Sequence, residues 1–119
     1  MKVIFLDRDG VINRYPGDSD YVKSWSEFKF LPEVKSGLKK LNDSGFKIFI
    51  ISNQAGVSRG IYTQEALDLI TKNMLKELNA AKVDIAGVYY CIHREEDNCS
   101  CRKPKTGLID KALGTLKLD

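Results

Sequence analysis

Val3-Ile4-Phe5-Leu6-Asp7-Arg8-Asp9-Gly10-Val11-Ile12-Asn13 joins four apolar residues to two acids and a glycine. A short uninterrupted apolar block of this kind reads as a fully buried strand. Side chains alternate along extended backbone, so Asp7 and Asp9 face one way and Arg8 the other. Gly10 lets the chain turn sharply after them. Two carboxylates at one strand end suit a divalent metal and a phosphoryl group. Asp7 would attack phosphorus and form an aspartyl-phosphate. Asp9 would protonate the leaving oxygen and then deprotonate water. A bridging cation would neutralise the repulsion between the anions. The other reading is a turn whose aspartates make local hydrogen bonds.

Outward from this stretch, apolar periodicity alternates between strand and helix. Residues 14–30 hold Tyr15, Pro16, Gly17, Tyr21, Trp25, Phe28 and Phe30 and follow no period. They read as a loop with aromatic anchors, either a flap over the strand ends or a surface connection. Pro32 opens a helix to about Asn42, because proline suits a first helical turn. Val34, Leu38 and Leu41 recur at helical spacing, and Asp43-Ser44-Gly45 ends the pattern. Residues 46–51 form a second buried strand, closed by Ser52-Asn53-Gln54, with Gly56 and Gly60 loosening the loop beyond. Thr63 reads as the N-cap of a helix to about Leu78, with Met74 as core filler. Residues 85–92 form a third strand, and a last helix runs from about residue 106 to 116.

This order predicts one domain over residues 1–119, an α/β three-layer fold with a parallel Rossmann-like sheet and right-handed crossovers. The ligand site of such a sheet lies beyond the carboxyl ends of its strands. Asp7/Asp9, Ser52/Asn53 and Cys91/His93 stand at those ends. Ser52, Asn53 and Gln54 offer a hydroxyl and amides to phosphoryl oxygens, or simply build a turn. Arg59 is either a phosphate clamp or a surface charge. Lys103 would neutralise a transferring phosphoryl group, and Arg102 would grip a second part of the substrate through its planar fork. Pro104 keeps Lys103 extended. Elsewhere an Arg-Lys pair usually means a solvated basic loop.

Cys91, Cys99 and Cys101 cluster around the chain's single histidine, His93. Three thiolates and an imidazole make a closed, structural tetrahedral zinc site. The loop at about 91–103 would thereby be tied down, with Arg102 and Lys103 directly behind the last ligand. Met1 leads straight into a strand and no run approaches membrane-spanning length. The sequence thus predicts no signal peptide, no membrane partner, a cytoplasmic location and reduced thiols. A net charge of +3 spread without a basic tract predicts no nucleic acid partner.

With these residues together, the chain resembles the haloacid dehalogenase superfamily of phosphatases. Residues Asp7 to Asn13, Ser52-Asn53-Gln54 and Arg102-Lys103-Pro104 match its first three motifs in order. The cysteine-histidine loop resembles that of the zinc-bearing branch, which groups heptose-bisphosphate phosphatases with histidinol phosphatases. Tyr21-Val22, Phe28-Lys29-Phe30, Arg59-Gly60 and Tyr89-Tyr90-Cys91 add to the likeness with the heptose-bisphosphate enzymes. The resemblance implies a phosphomonoesterase that uses Mg2+ and Zn2+ on a small phosphorylated metabolite. The C7 phosphate of a heptose bisphosphate is the first expectation, with histidinol phosphate second. It implies Asp7 as nucleophile and magnesium ligand, and Asp9 as acid/base and, through its carbonyl, a magnesium ligand. It further implies that Ser52 and Lys103 steady the phosphoryl group, that Asn13, Tyr21, Asn53, Gln54, Arg59 and Arg102 bind substrate, and that Cys91, His93, Cys99 and Cys101 hold zinc. The superfamily's fourth motif, an acidic pair after a fourth strand, has no counterpart before Asp119. The sheet is therefore expected to be incomplete at its C-terminal side, with the first strand as an open edge. The expected consequences are a longer parent protein, self-association through that edge, or an inactive zinc-stabilised module.

Overall fold

The structure, a computed structural model, describes residues 2–17, 20–93 and 107–116. Its elements are β1 (Lys2–Leu6), α1 (Val34–Asp43), β2 (Phe46–Asn53), α2 (Gln64–Ala80), β3 (Gly87–Cys91) and α3 (Gly107–Leu116). The strands form one parallel sheet in the order β1-β2-β3. Leu6 pairs with Ile50, and Asn53 with Cys91. Parallel neighbours end on the same side, so the polar residues after each strand gather along one rim.

The two-residue period of β2 divides the interior into two layers. Ile48 and Ile50 pack with Leu38 of α1 and with Ile70, Met74 and Leu78 of α2. Phe49 faces the opposite side, stacked between Phe5 and Tyr89 at 5.6 and 6.2 Å. There Ile51 and Cys91 pack with Leu108 and Ile109 of α3. Leu67, Ile70, Met74 and Leu78 are buried at steps of three and four, one stripe of α2. Each such burial stabilises the fold by about 1.5–3 kcal/mol. Thr63 caps α2, its Oγ1 accepting the Ala66 N–H at 3.0 Å. No described helix is long and apolar enough to cross a membrane.

Three expectations change. Val3, Ile4, Phe5 and Leu6 are only half-buried, whereas β2 is buried from Ile48 to Ser52. Among the described residues β1 has one neighbouring strand, so its outer flank lacks the cover β2 receives on both sides. Pro32 lies in a turn, and α1 begins at Val34. Glu33 between them adopts φ 65, a left-handed conformation no helix continues through. Gly56 does not loosen its loop. A Cβ there would lie 2.1 Å from the Tyr62 ring, so glycine is what admits that ring.

The connection after β1 combines both of its expected characters. Val22 and Phe28 are buried, and Phe28 stacks on Trp25 and meets Phe30 edge-on at 5.2 and 5.1 Å. These contacts pin its second half to the core. Tyr15, Pro16, Asp20 and Tyr21 of its first half line the cleft described next.

Candidate active site

β1 ends at Leu6, and the chain then closes a tight turn. The Arg8 carbonyl accepts N–H groups of Val11, Ile12 and Asn13 at 3.2, 2.8 and 3.3 Å, and the Gly10 N–H donates to the Asn13 carbonyl at 2.8 Å. Gly10 has φ +88, open to glycine at little cost. The fully buried Ile12 plugs the turn from beneath. Asn13 is thereby carried back to Asp9, its Nδ2 donating to Oδ1 at 3.0 Å.

Asp7 and Asp9 open into the same cleft, as strand parity predicts. Tyr15, Pro16, Asp20, Tyr21, Ser52 and Asn53 complete its lining, around about 190 Å³. Three hollows are larger: those near Trp25 and near Asn42 each carry a single carboxylate, and the one beside Arg14 holds Asp20 and Glu27 but neither Asp7 nor Asp9. Asp7 Oδ1 accepts the Arg8 N–H at 2.8 Å.

Arg8 departs from the parity argument. Its side chain is fully buried and folds back onto Asp9. Nε donates to Asp9 Oδ1 at 3.0 Å, and Nη2 lies 2.9 Å from the same oxygen without a directed hydrogen bond. Alternation holds only within the strand, and the long arm beyond Leu6 is free to curl. The guanidinium carbon stands 5.8 Å from the Phe28 ring centre and 5.5 Å from that of Tyr90. Such faces favour a cation. Burial works to lower the Arg8 pKa, but Tyr90 and Asp9 outweigh it and leave it raised. The sequence did carry a signal for Arg8, a charge enclosed by an apolar strand and an apolar turn.

Gln54 and Asn13 are also fully buried and do not line the cleft. They were expected to contact substrate; in the structure their amides donate to Asp9. Gln54 Nε2 donates to Asp9 Oδ2 at 3.2 Å and to Ser52 Oγ at 3.0 Å. Its Oε1 accepts the Tyr62 hydroxyl at 2.6 Å. Burial raises the Tyr62 pKa well above that of an ordinary phenol, so it stays a donor. Tyr62 lies ten residues beyond Ser52, and only Gly56, which admits its ring, marks it in the sequence.

Asp7, Asp9, Ser52, Asn53 and Tyr21 are thus brought together. Arg59 is exposed and lies outside the cleft lining. Lys103, Arg102, Cys99 and Cys101 fall outside the described residues. Cys91 Sγ lies 3.8 Å from His93 Nδ1 at the end of β3. Among the described residues, no group of three or more His, Cys, Asp or Glu is arranged as a metal site. The oxygen donors of Asp7 and Asp9 are nevertheless of the hard type that magnesium takes.

The family model for polynucleotide kinase 3 phosphatase matches residues 2–118. A Thermoplasma volcanium protein named probable D-glycero-D-manno-heptose-1,7-bisphosphate 7-phosphatase is 38% identical over 119 residues, covering 100% of this chain and 80% of its own length. The Haemophilus influenzae D-glycero-beta-D-manno-heptose-1,7-bisphosphate 7-phosphatase is 37% identical over 124 residues, with 99% of this chain and 66% of that protein covered. The crystal structure of D,D-heptose 1,7-bisphosphate phosphatase from B. bronchiseptica, complexed with magnesium and phosphate, matches with a TM-score of 0.90 at 31% identity. All of this chain and 65% of that one are covered. The chain therefore spans four fifths of one relative and slightly under two thirds of the other two. The family model spans nearly the whole chain and a crystal structure at 31% identity shares its fold, so the chain belongs to the polynucleotide kinase 3 phosphatase family of haloacid-dehalogenase-like phosphatases.

Proposed function

We propose that this chain hydrolyses the C7 phosphate of a D-glycero-D-manno-heptose 1,7-bisphosphate through an aspartyl-phosphate on Asp7. The observation that carries the reading is the shared cleft of Asp7, Asp9, Ser52 and Asn53. The names of the most similar relatives supply the sugar.

Asp7 attacks phosphorus as the bond to the sugar oxygen breaks, and Asp9 gives that oxygen its proton. Asp9 then takes a proton from water, which attacks the phosphoryl group and frees Asp7. Gln54 donates to Ser52 Oγ, which leaves the serine O–H to donate into the cleft. Asn53 adds an amide donor there. Lys103, outside the described residues, is assigned the remaining positive charge and Arg102 a contact to the sugar or its second phosphate. Asp7 and the Asp9 carbonyl would hold magnesium, which when bound would offset the repulsion between carboxylate and phosphate.

Zinc is assigned to Cys91, His93, Cys99 and Cys101. Two ligands of one tetrahedral zinc stand roughly 3.5 Å apart at usual bond lengths, close to the 3.8 Å between Cys91 and His93. Zinc takes thiolates, so this assignment requires the reduced chain. Reduced protein purified without chelators is expected to carry one zinc per chain by elemental analysis. A stoichiometry near zero contradicts the assignment.

The test of function is phosphate release by reduced, magnesium-loaded protein. The substrates are the heptose bisphosphate, histidinol phosphate and a 3′-phosphorylated oligonucleotide, the last prompted by the family name. Release from the bisphosphate alone is expected. Preference for another substrate replaces the sugar assignment, and no release from any overturns the activity. A second reading, a silent module that pairs with another copy along β1, is favoured by the single pairing partner of that strand among the described residues. Sedimentation separates it, since an active monomer excludes it.

A further inference from the structure

Both carboxylate oxygens of Asp9 are held by groups that do not line the cleft. Arg8 Nε and Asn13 Nδ2 donate to Oδ1, each at 3.0 Å, and Gln54 Nε2 donates to Oδ2 at 3.2 Å. Behind each arm stands a tyrosine. On the Gln54 side, the Tyr62 O–H donates to Oε1, which settles which way the amide faces. Its NH2 group must then point at Asp9 and Ser52. A flipped amide would set its oxygen against the carboxylate.

On the Arg8 side, the direction of each hydrogen bond follows from the last link. Thr71 Oγ1 donates to the Leu67 carbonyl of α2 at 3.0 Å. The Tyr90 O–H, 2.9 Å from Thr71 Oγ1, must therefore donate to it. That leaves the Tyr90 oxygen as acceptor for Arg8 Nη1 at 3.4 Å. The guanidinium is thus anchored at one end to a helix and offers the other to Asp9. Charged and polar groups buried in such a chain reinforce one another and fix a single geometry.

Resting on the phosphatase reading above, we propose that Tyr62 and Tyr90 are positioning residues for the proton-transfer steps, each fixing the donor that orients Asp9. Neither touches the cleft. A misaligned Asp9 would fail to protonate a poor leaving group yet matter little where the leaving group departs as a stable anion.

The variants are Tyr62→Phe and Tyr90→Phe, which remove one hydroxyl each. Thr71→Val is added as a more distant change that unhooks Tyr90 while keeping side-chain shape. Rapid quench of magnesium-loaded protein measures leaving-group release in a single turnover, from the heptose bisphosphate and from 4-nitrophenyl phosphate. For each tyrosine variant, release of the sugar is expected to slow about 10- to 100-fold. Nitrophenol release is expected to change less than about threefold, with KM values held. Thr71→Val is expected to do the same more weakly. An equal loss on both substrates, or no loss, overturns the proposal. Crystal structures of the variants test it without turnover. The Asp9 carboxylate is expected to rotate away from Gln54 in one and from Arg8 in the other, and its retention of both contacts in both variants overturns the proposal. An inactive parent protein whose variants still displace Asp9 refutes the phosphatase reading and leaves the positioning roles standing.

Discussion

The carboxyl ends of β1 and β2 lie side by side and contribute differently. β1 is half-buried and paired on one flank among the described residues, yet it carries Asp7 and Asp9. β2 is buried from Ile48 to Ser52 and paired on both flanks, and its end carries Ser52, Asn53 and Gln54. Groups that must meet substrate stand where solvent reaches. Gln54, which holds Asp9, stands at the end of the more enclosed strand, beside Ser52 and Asn53 of the cleft. Asp9 gains its fixed direction from Gln54, across the ladder, and from the buried Arg8.

The largest expected effect breaks the reactive side. Asp7→Asn removes the nucleophile and leaves the cleft's shape, so phosphate release should fall by at least about 1000-fold with little change in stability. Retained turnover would move the nucleophile elsewhere. The supporting side responds in stability. Ile48→Ala empties a fully buried site in β2 and should cost about 2–5 kcal/mol in urea unfolding. Ile4→Ala at its ladder partner in β1 should cost roughly half as much, because the half-buried site loses less contact and can relax. Equal costs would mean that β1 is covered as fully as β2, by a second copy or another segment. Smallest is Thr63→Ala, expected to lower stability by about 1 kcal/mol through loss of the α2 cap.

Much of this division was legible in the sequence. Apolar periodicity located all six elements, and the residues after β1 and β2 pointed to the rim cleft. Asp7, Asp9, Ser52 and Asn53 meet there because parallel pairing brings the ends of β1 and β2 to one rim. Long-range contacts were not legible. Tyr62, Tyr90 and Thr71 meet their partners through tertiary packing, and apart from Gly56 before Tyr62 no local pattern marks them. Arg8 was read as facing away, because parity was carried two residues past the strand it governs. The half-burial of β1 was hidden for a related reason, since an apolar run states what a strand prefers and its neighbours decide what it receives. Glu33 in a left-handed turn shows the same override at Pro32, where helix-start chemistry yielded to the path of the chain.

The central claim is that Asp7, at the end of the half-buried β1, forms the covalent bond while Asp9 is held for proton transfer. Acid quench of magnesium-loaded protein during turnover of heptose bisphosphate labelled with radioactive phosphorus at C7, followed by peptide mapping, tests it directly. The account predicts an acid-stable, hydroxylamine-labile label confined to Asp7, accumulating further in Asp9→Asn when the substrate is 4-nitrophenyl phosphate. Label on another residue, or turnover with no labelled protein at any time, would contradict it.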